Sequence, residues 1–236
     1  AGKYYSRQYE KFIITAKPSF SDAKALVIDR SDIAYLGNNE YSVAAQVINP
    51  NLDLAAKSVA YEMNFYGPDG KLAAAAQKGE FYLLPNQRKY LVAPKVVSSA
   101  GISRSDLVLL SEIKWQKKLN LPEVKLIANL PKGGDQKDPF GYALEGSITN
   151  NSPYYLKEVR LVFLLYGTGG KVIGASERVE NSFQPFEKRA YKQIWPGVSG
   201  INVVRAETYP ETNLLDKENF TLPEPSENTE AGDLGR

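Results

Sequence analysis

The side chains that could do chemistry here are defined first by what is missing. The chain has 27 Asp and Glu and 29 Lys and Arg, but no histidine and no cysteine. That excludes Ser-His-Asp triads, cysteine nucleophiles, zinc sites built on Cys or His, haem ligation and iron–sulfur clusters. Carboxylate-pair catalysis survives, because a glycosidase needs only two Asp or Glu roughly 5–9 Å apart. Glu177 with Glu180 and Glu145 with Asp138 qualify by type, yet they lie in ordinary surface patterns with no cleft signal. Asp135 and Asp138 could form a loose calcium loop, without EF-hand spacing. Gly167, Thr168, Gly169, Gly170 and Lys171 resemble a phosphate loop only superficially. The G-x-x-x-x-G-K-[ST] spacing is absent and Val172 follows the lysine in a strand-turn-strand context. The residues therefore predict a non-enzyme with no cofactor and no metal.

Other polar signals are weaker. Asn150-Asn151-Ser152 and Asn219-Phe220-Thr221 are glycosylation sequons, so Asn150 and Asn219 are weak candidates for modification; Pro153 weakens the first. Lys117-Lys118, Arg88-Lys89 and Lys188-Arg189 read as solvated turn charges. Trp115 and Trp195 read as core or interface anchors. A formal net charge of +2 is too balanced for binding nucleic acid by bulk electrostatics. No run of about 18 apolar residues is present, and without cysteine the redox compartment stays undecided.

The elements that would position these groups come in a repeat. Residues 57–85 return 100 positions later as residues 157–185 with nine of 29 identical, against about two for unrelated sequence. Upstream, with one residue deleted in a loop, residues 41–49 match 142–150. Val59, Tyr61, Met63 and Phe65 alternate with Ala60, Glu62, Asn64 and Tyr66, the period of a half-buried strand. Pro68-Asp69-Gly70 and Thr168-Gly169-Gly170 supply tight hairpin turns. Partner strands follow at 72–76 and 172–175, corners at Pro85-Asn86 and Pro185-Phe186, then strands at 89–92 and 189–195. The last strands are expected at 107–115 and 201–209. About seven short strands per hundred residues is the pattern of an immunoglobulin-like sandwich. The fold class is all-β: two tandem immunoglobulin-like sandwiches, with an N-terminal arm (1–20), repeat one (21–118), repeat two (119–212) and an acidic C-terminal tail (213–236).

The string Phe163-Leu164-Leu165-Tyr166-Gly167, preceded by Gly146-Ser147-Ile148-Thr149-Asn150-Asn151-Ser152, resembles the domain family named for its F-x-L-Y-D motif. That family is related to late-embryogenesis-abundant and fibronectin-like sandwiches. Val47-Ile48-Asn49-Pro50-Asn51 and residues 61–66 look like its repeat-one form, over a resemblance that spans about residues 25 to 210. Met63 departs from the motif Phe, and Gly67 and Gly167 depart from its Asp. The resemblance implies an extracytoplasmic module similar to tandem bacterial surface proteins that carry an N-terminal anchor, and it implies no chemistry. Ala1 and Gly2 fit a mature chain after signal cleavage, or a trimmed one.

The ends stand apart from the repeat. Tyr4, Tyr5, Tyr9 and Phe12 interleave with Lys3, Arg7 and Lys11, and Phe12, Ile13 and Ile14 open a strong β segment. This arm reads as an added edge strand, as the interfacial flank of an anchor, or as a donor strand for a neighbouring subunit. The stretch 216–236 holds six acidic residues against two basic, the composition of a solvated tail. A basic aromatic head and an acidic tail could join copies head to tail. Val162 and Leu164 on the outward face of the second motif strand must be covered by repeat one, a terminal segment or another chain, unless that strand is buried on both faces. The expected partner is protein, self included. The expected function is an extracellular structural or adhesive module, with peptide, glycan or protein recognition through end loops as the alternative.

Overall fold

The computed structural model describes residues 22–117, 120–129, 132–133, 141–196 and 202–222. The expected N-terminal arm, with Tyr4, Tyr5, Tyr9, Phe12, Ile13 and Ile14, lies outside the described residues. The fold is all-β. In the first half the strands are β1 (Val27–Gly37), β2 (Glu40–Ile48), β3 (Leu54–Tyr66), β4 (Leu72–Leu83), β5 (Arg88–Val97), β6 (Arg104–Leu109) and β7 (Trp115–Lys117). The second half holds β8 (Leu126–Ala128), β9 (Lys132–Gly133), β10 (Tyr142–Asn150), β11 (Tyr155–Tyr166), β12 (Val172–Phe183), β13 (Lys188–Trp195), β14 (Arg205–Glu211) and β15 (Phe220–Thr221).

The two halves share one topology. Sheet A (β1-β2-β5) faces sheet B (β4-β3-β6, with β7 also on β3) in the first. Sheet C (β13-β10-β8, with β9) faces sheet D (β12-β11-β14, with β15) in the second. Inward residues fill each sandwich as the alternation requires. Val43, Val47, Val59, Met63 and Phe65 lie in one core, and Leu144, Ile148, Leu161, Phe163 and Leu165 in the other. Trp115 and Trp195 belong to these cores. Both motif hairpins close alike, with Gly67 N–H donating to Lys71 O at 2.9 Å and Gly167 N–H to Lys171 O at 3.0 Å. Gly70, Gly169 and Gly170 take the positive φ that the turns demand, so the string at 167–171 is a hairpin turn.

A buried asparagine locks the sheet crossing in each copy. Asn49 Nδ2 donates to Leu54 O and Leu84 O at 2.7 and 2.9 Å. Asn150 Nδ2 donates to Tyr154 O and Gln184 O at the same two distances. Asn49 reaches five residues ahead and Asn150 four, so the deleted residue sits inside this loop.

The structure corrects several boundaries. β4 and β12 run on to Leu83 and Phe183, because Phe81, Leu83 and Phe183 point into the cores. The expected strand at 107–115 is two pieces, β6 and β7, that follow one another along the same edge of β3. Its counterpart starts at Arg205 rather than Ile201. The acidic tail begins later than its composition suggests: residues 213–222 complete the second sandwich, where β15 pairs with Tyr155 and Leu156. Asn219 holds this segment, its Oδ1 accepting from Glu158 N–H at 3.0 Å, and Phe220 packs edge-on against Tyr154.

Candidate functional site

The two sandwiches are stacked face to face. The outward residues of sheet A (Ala44, Tyr90, Val92) and of sheet D (Val162, Leu164, Tyr166, Ala175) form a third apolar cluster. β12 passes over all three strands of sheet A. Val172 N–H points to Asp32 Oδ2 on β1 (3.4 Å), Ala175 N–H donates to Ser42 Oγ on β2 (3.0 Å), and Arg160, paired with Glu177, donates to Tyr90 O on β5 (3.0 Å). The facing strands therefore cross rather than run alongside. Val162 and Leu164 are 1% and 0% exposed, so repeat one is what covers them and neither is open to another chain.

At one side of this apolar seam sits a cluster of charges. Arg160 bridges Glu177 and Glu211, with Nε donating to Glu177 Oε2 at 2.9 Å. Lys89, from the first sandwich, pairs with Glu211 at 3.2 Å while its side chain is 3% exposed. Its ammonium also lies 3.5 Å from the centre of the Tyr82 ring. Two cations thus meet two anions across the joint, and each charge is paired, which the almost fully buried Lys89 in particular requires. Burial pushes Lys89 down to about 8, the Glu211 carboxylate opposing the shift. Burial also works against the charge on Arg160, but Glu211 and Glu177 outweigh it and hold its pKa above the ordinary value. Desolvation raises the Tyr82, Tyr166 and Tyr209 phenols, so all three stay protonated. Arg88-Lys89 is therefore not a pair of solvated turn charges. Lys89 shares its side of β5 with the core residues Leu91 and Ala93, and sequence reasoning missed it because its partner Glu211 arrives from the other sandwich, 122 positions away.

The other groups singled out in the sequence are dispersed. Glu177 and Glu180 lie three apart on one strand and so point to opposite faces. Glu180 pairs with Arg178 and Arg189 at 2.8 and 3.1 Å. Glu145 pairs with Lys192 at 3.0 Å, and Asp135, Asp138 and Lys118 lie outside the described residues. Among the described residues no group of three or more Asp or Glu is placed to hold a metal ion. Neither sequon presents a free amide. Asn150 is 0% exposed with its Nδ2 donating twice, and Asn219 Nδ2 donates to Thr212 Oγ1 at 2.6 Å. The folded chain has no room for a glycan on either nitrogen, since both side chains serve as structural locks.

Two surface features remain. In the turn after β12, Phe186 adopts a positive φ of 56° and stands 65% exposed, a conformation that is strained for a bulky residue. The matching turn in repeat one places Asn86 there, at φ 53°, a residue that tolerates it. Separately, a cleft of about 250 Å³ opens between β1 and the start of β6, lined by Ser31, Ile33, Tyr35 and Ile102 among others. No helix among the described residues is long and apolar enough to cross a membrane.

No family model and no curated protein matches the chain. A solved structure of oxalate decarboxylase aligns over 84% of this chain and 80% of its own at 6% identity, with a TM-score of 0.11. A score that low carries no inference about fold or function.

Proposed function

We propose that the chain is a non-enzymatic extracellular structural or adhesive module, a subunit of a surface assembly joined through terminal β-strands. The observation that carries this reading is the joint between the sandwiches, where an apolar seam and a chain of ion pairs from Glu177 through Arg160 and Glu211 to Lys89 hold two domains as one stack. The charged groups at this joint are used on one another, which suits a rigid spacer better than a catalyst. The resemblance to F-x-L-Y-D surface domains supports the extracellular location. Negative-stain microscopy of native material tests the reading: polymers that disappear on deletion of residues 1–16 support it, and monomers unchanged by that deletion end it. A second reading, recognition of a peptide, glycan or protein by loops at a sandwich end, is favoured by the strained and exposed Phe186. Loss of binding to isolated cell surfaces on Phe186→Asn, with folding intact, would select it.

A further inference from the structure

The stacking joint cannot itself extend the molecule. It pairs sheet A of one repeat with sheet D, the opposite sheet, of the next, which is a heterologous contact that could continue indefinitely. Both free outer faces are polar, however. Sheet B presents the Glu62–Lys78 ion pair and sheet C the Glu145–Lys192 pair, which is how terminal repeats stop stacking. Any further assembly must use a strand edge, and most edges are guarded by the devices that prevent pairing. β1, β4 and β12 carry bulges. β5 and β14 contain Pro94 and Pro210, and β13 displays Lys188, Arg189 and Lys192.

β6 differs. Its pairing with β3 runs without a register shift from Arg104 to Leu109, and it contains no proline. Its two charges, Arg104 and Asp106, sit in its first half 3.4 Å from each other, leaving Leu107, Val108 and Leu109 unguarded. Among the described residues no strand lies on its outer side. Beside it runs the cleft toward β1, where Tyr35 is 54% exposed. The hydroxyl of Ser31, which lines the cleft, and that of Ser105 on β6 are buried without a hydrogen-bond partner, a state that asks for an explanation.

Resting on the functional reading above, we propose that residues 12–16 of a second copy of this chain add as a strand beside β6 and cover the seam between β1 and β6. Phe12, Ile13, Ile14, Thr15 and Ala16 are an uncharged β-forming run. Extended, five residues reach about 17 Å, the span of the five residues from Ser105 to Leu109. Strand alternation sends Phe12, Ile14 and Ala16 to the seam side, where Ser105 and Leu107 are buried. Ile13 and Thr15 then face out beside Asp106 and Val108. Backbone pairing supplies the affinity and the seam supplies the selection.

The chain's lack of cysteine makes the test clean. In the full chain, Ile13→Cys with Val108→Cys reports an antiparallel strand and Thr15→Cys with Val108→Cys a parallel one. One of the two, oxidised, should give a ladder of covalent multimers on a non-reducing gel. Val108→Lys, on the outward side of the edge, should cut association at least tenfold in sedimentation while leaving the circular dichroism unchanged. Cross-linking confined to the monomer would show that the arm pairs with its own β6 and would overturn the second-copy proposal. If neither pair cross-links while polymers persist under the microscope, the subunit reading stands and β6 is not the acceptor. Absence of both cross-links and polymers ends both ideas.

Discussion

β3 and β11 hold the same place in the two copies and face different surroundings. Their inward residues are interchangeable in kind: Met63 and Phe65 in one core, Phe163 and Leu165 in the other. Their outward residues are not. Ala60, Glu62, Asn64 and Tyr66 stay partly exposed, whereas Arg160 anchors the chain of ion pairs and Val162, Leu164 and Tyr166 are buried under sheet A. After a duplication the core face and the turns are constrained by a fold that both copies must keep. The outer face is constrained by nothing until something is laid on it. Between β3 and β11 the change from polar to apolar is confined to that face, and it built the joint.

Exchanging residues between the two strands breaks or sharpens that contrast. Arg160→Met should have the largest effect, about 3–5 kcal/mol lost in urea unfolding, because the half-buried Glu177 loses its cation and the more deeply buried Glu211 keeps only Lys89. A loss below about 1 kcal/mol would mean that the carboxylates find water in the folded state. Leu164→Asn, which installs the repeat-one residue, should cost about 2–4 kcal/mol and split unfolding into two transitions as the sandwiches separate. The reverse change, Asn64→Leu, should stay within about 0.5 kcal/mol because that face is half open. Equal effects at the two sites would refute the contrast.

The ion pairs at the joint also set a pH dependence. Folded Lys89, pushed down to about 8 from an ordinary value of 10.5, releases its proton before the unfolded chain does. Between those two pH values the unfolded state binds more protons, so this group's contribution to stability rises with pH. Below about pH 8 its burial is a standing cost. The rise is bounded at about 3 kcal/mol, and from about pH 10 it is opposed by the raised tyrosines, whose unfolded forms ionise first. Denaturant midpoints should climb from pH 7.5 to 9.5, and Lys89→Met should flatten the climb; a parallel climb in that variant would place the titrating group elsewhere. The smallest effect belongs to the two proline corners. Phe186→Asn should stabilise the chain by about 1 kcal/mol and Asn86→Phe destabilise it by a similar amount, since asparagine tolerates a positive φ that strains a bulky side chain. Calorimetric midpoints of the two variants check this.

Much of the architecture was legible because it is local or periodic. The hairpin glycines, the proline corners and the alternation of β3 follow from backbone sterics and the two-residue strand period. The offset of 100 with one loop deletion located equivalent elements before any contact was known. The covered face of β11 was also visible, as two aliphatics where Glu62 and Asn64 stand in the other copy. The breaks were harder. Nothing local separates β6 from β7, because the interruption at 110–114 is set by pairing with β3. The tail boundary was misplaced because composition counts charges and does not register Asn219, whose amide and carbonyl close on Glu158, Thr212 and Asn213. The sequons stood as weak candidates for modification for the same reason: a tripeptide pattern carries no information about burial.

From its residues alone this chain is a duplicated all-β sandwich without the groups that most enzymes use. That much depends on residue type, on period and on self-similarity, which act over a few positions or by simple correspondence. The identity of the cover on Val162 and Leu164, the burial of Lys89 and the pairing of Glu211 with partners on both sandwiches were decided only in three dimensions. Each depends on which of several possible faces meet. That choice is made by the summed fit of two surfaces whose residues lie 70 and more positions apart, a quantity no local pattern encodes.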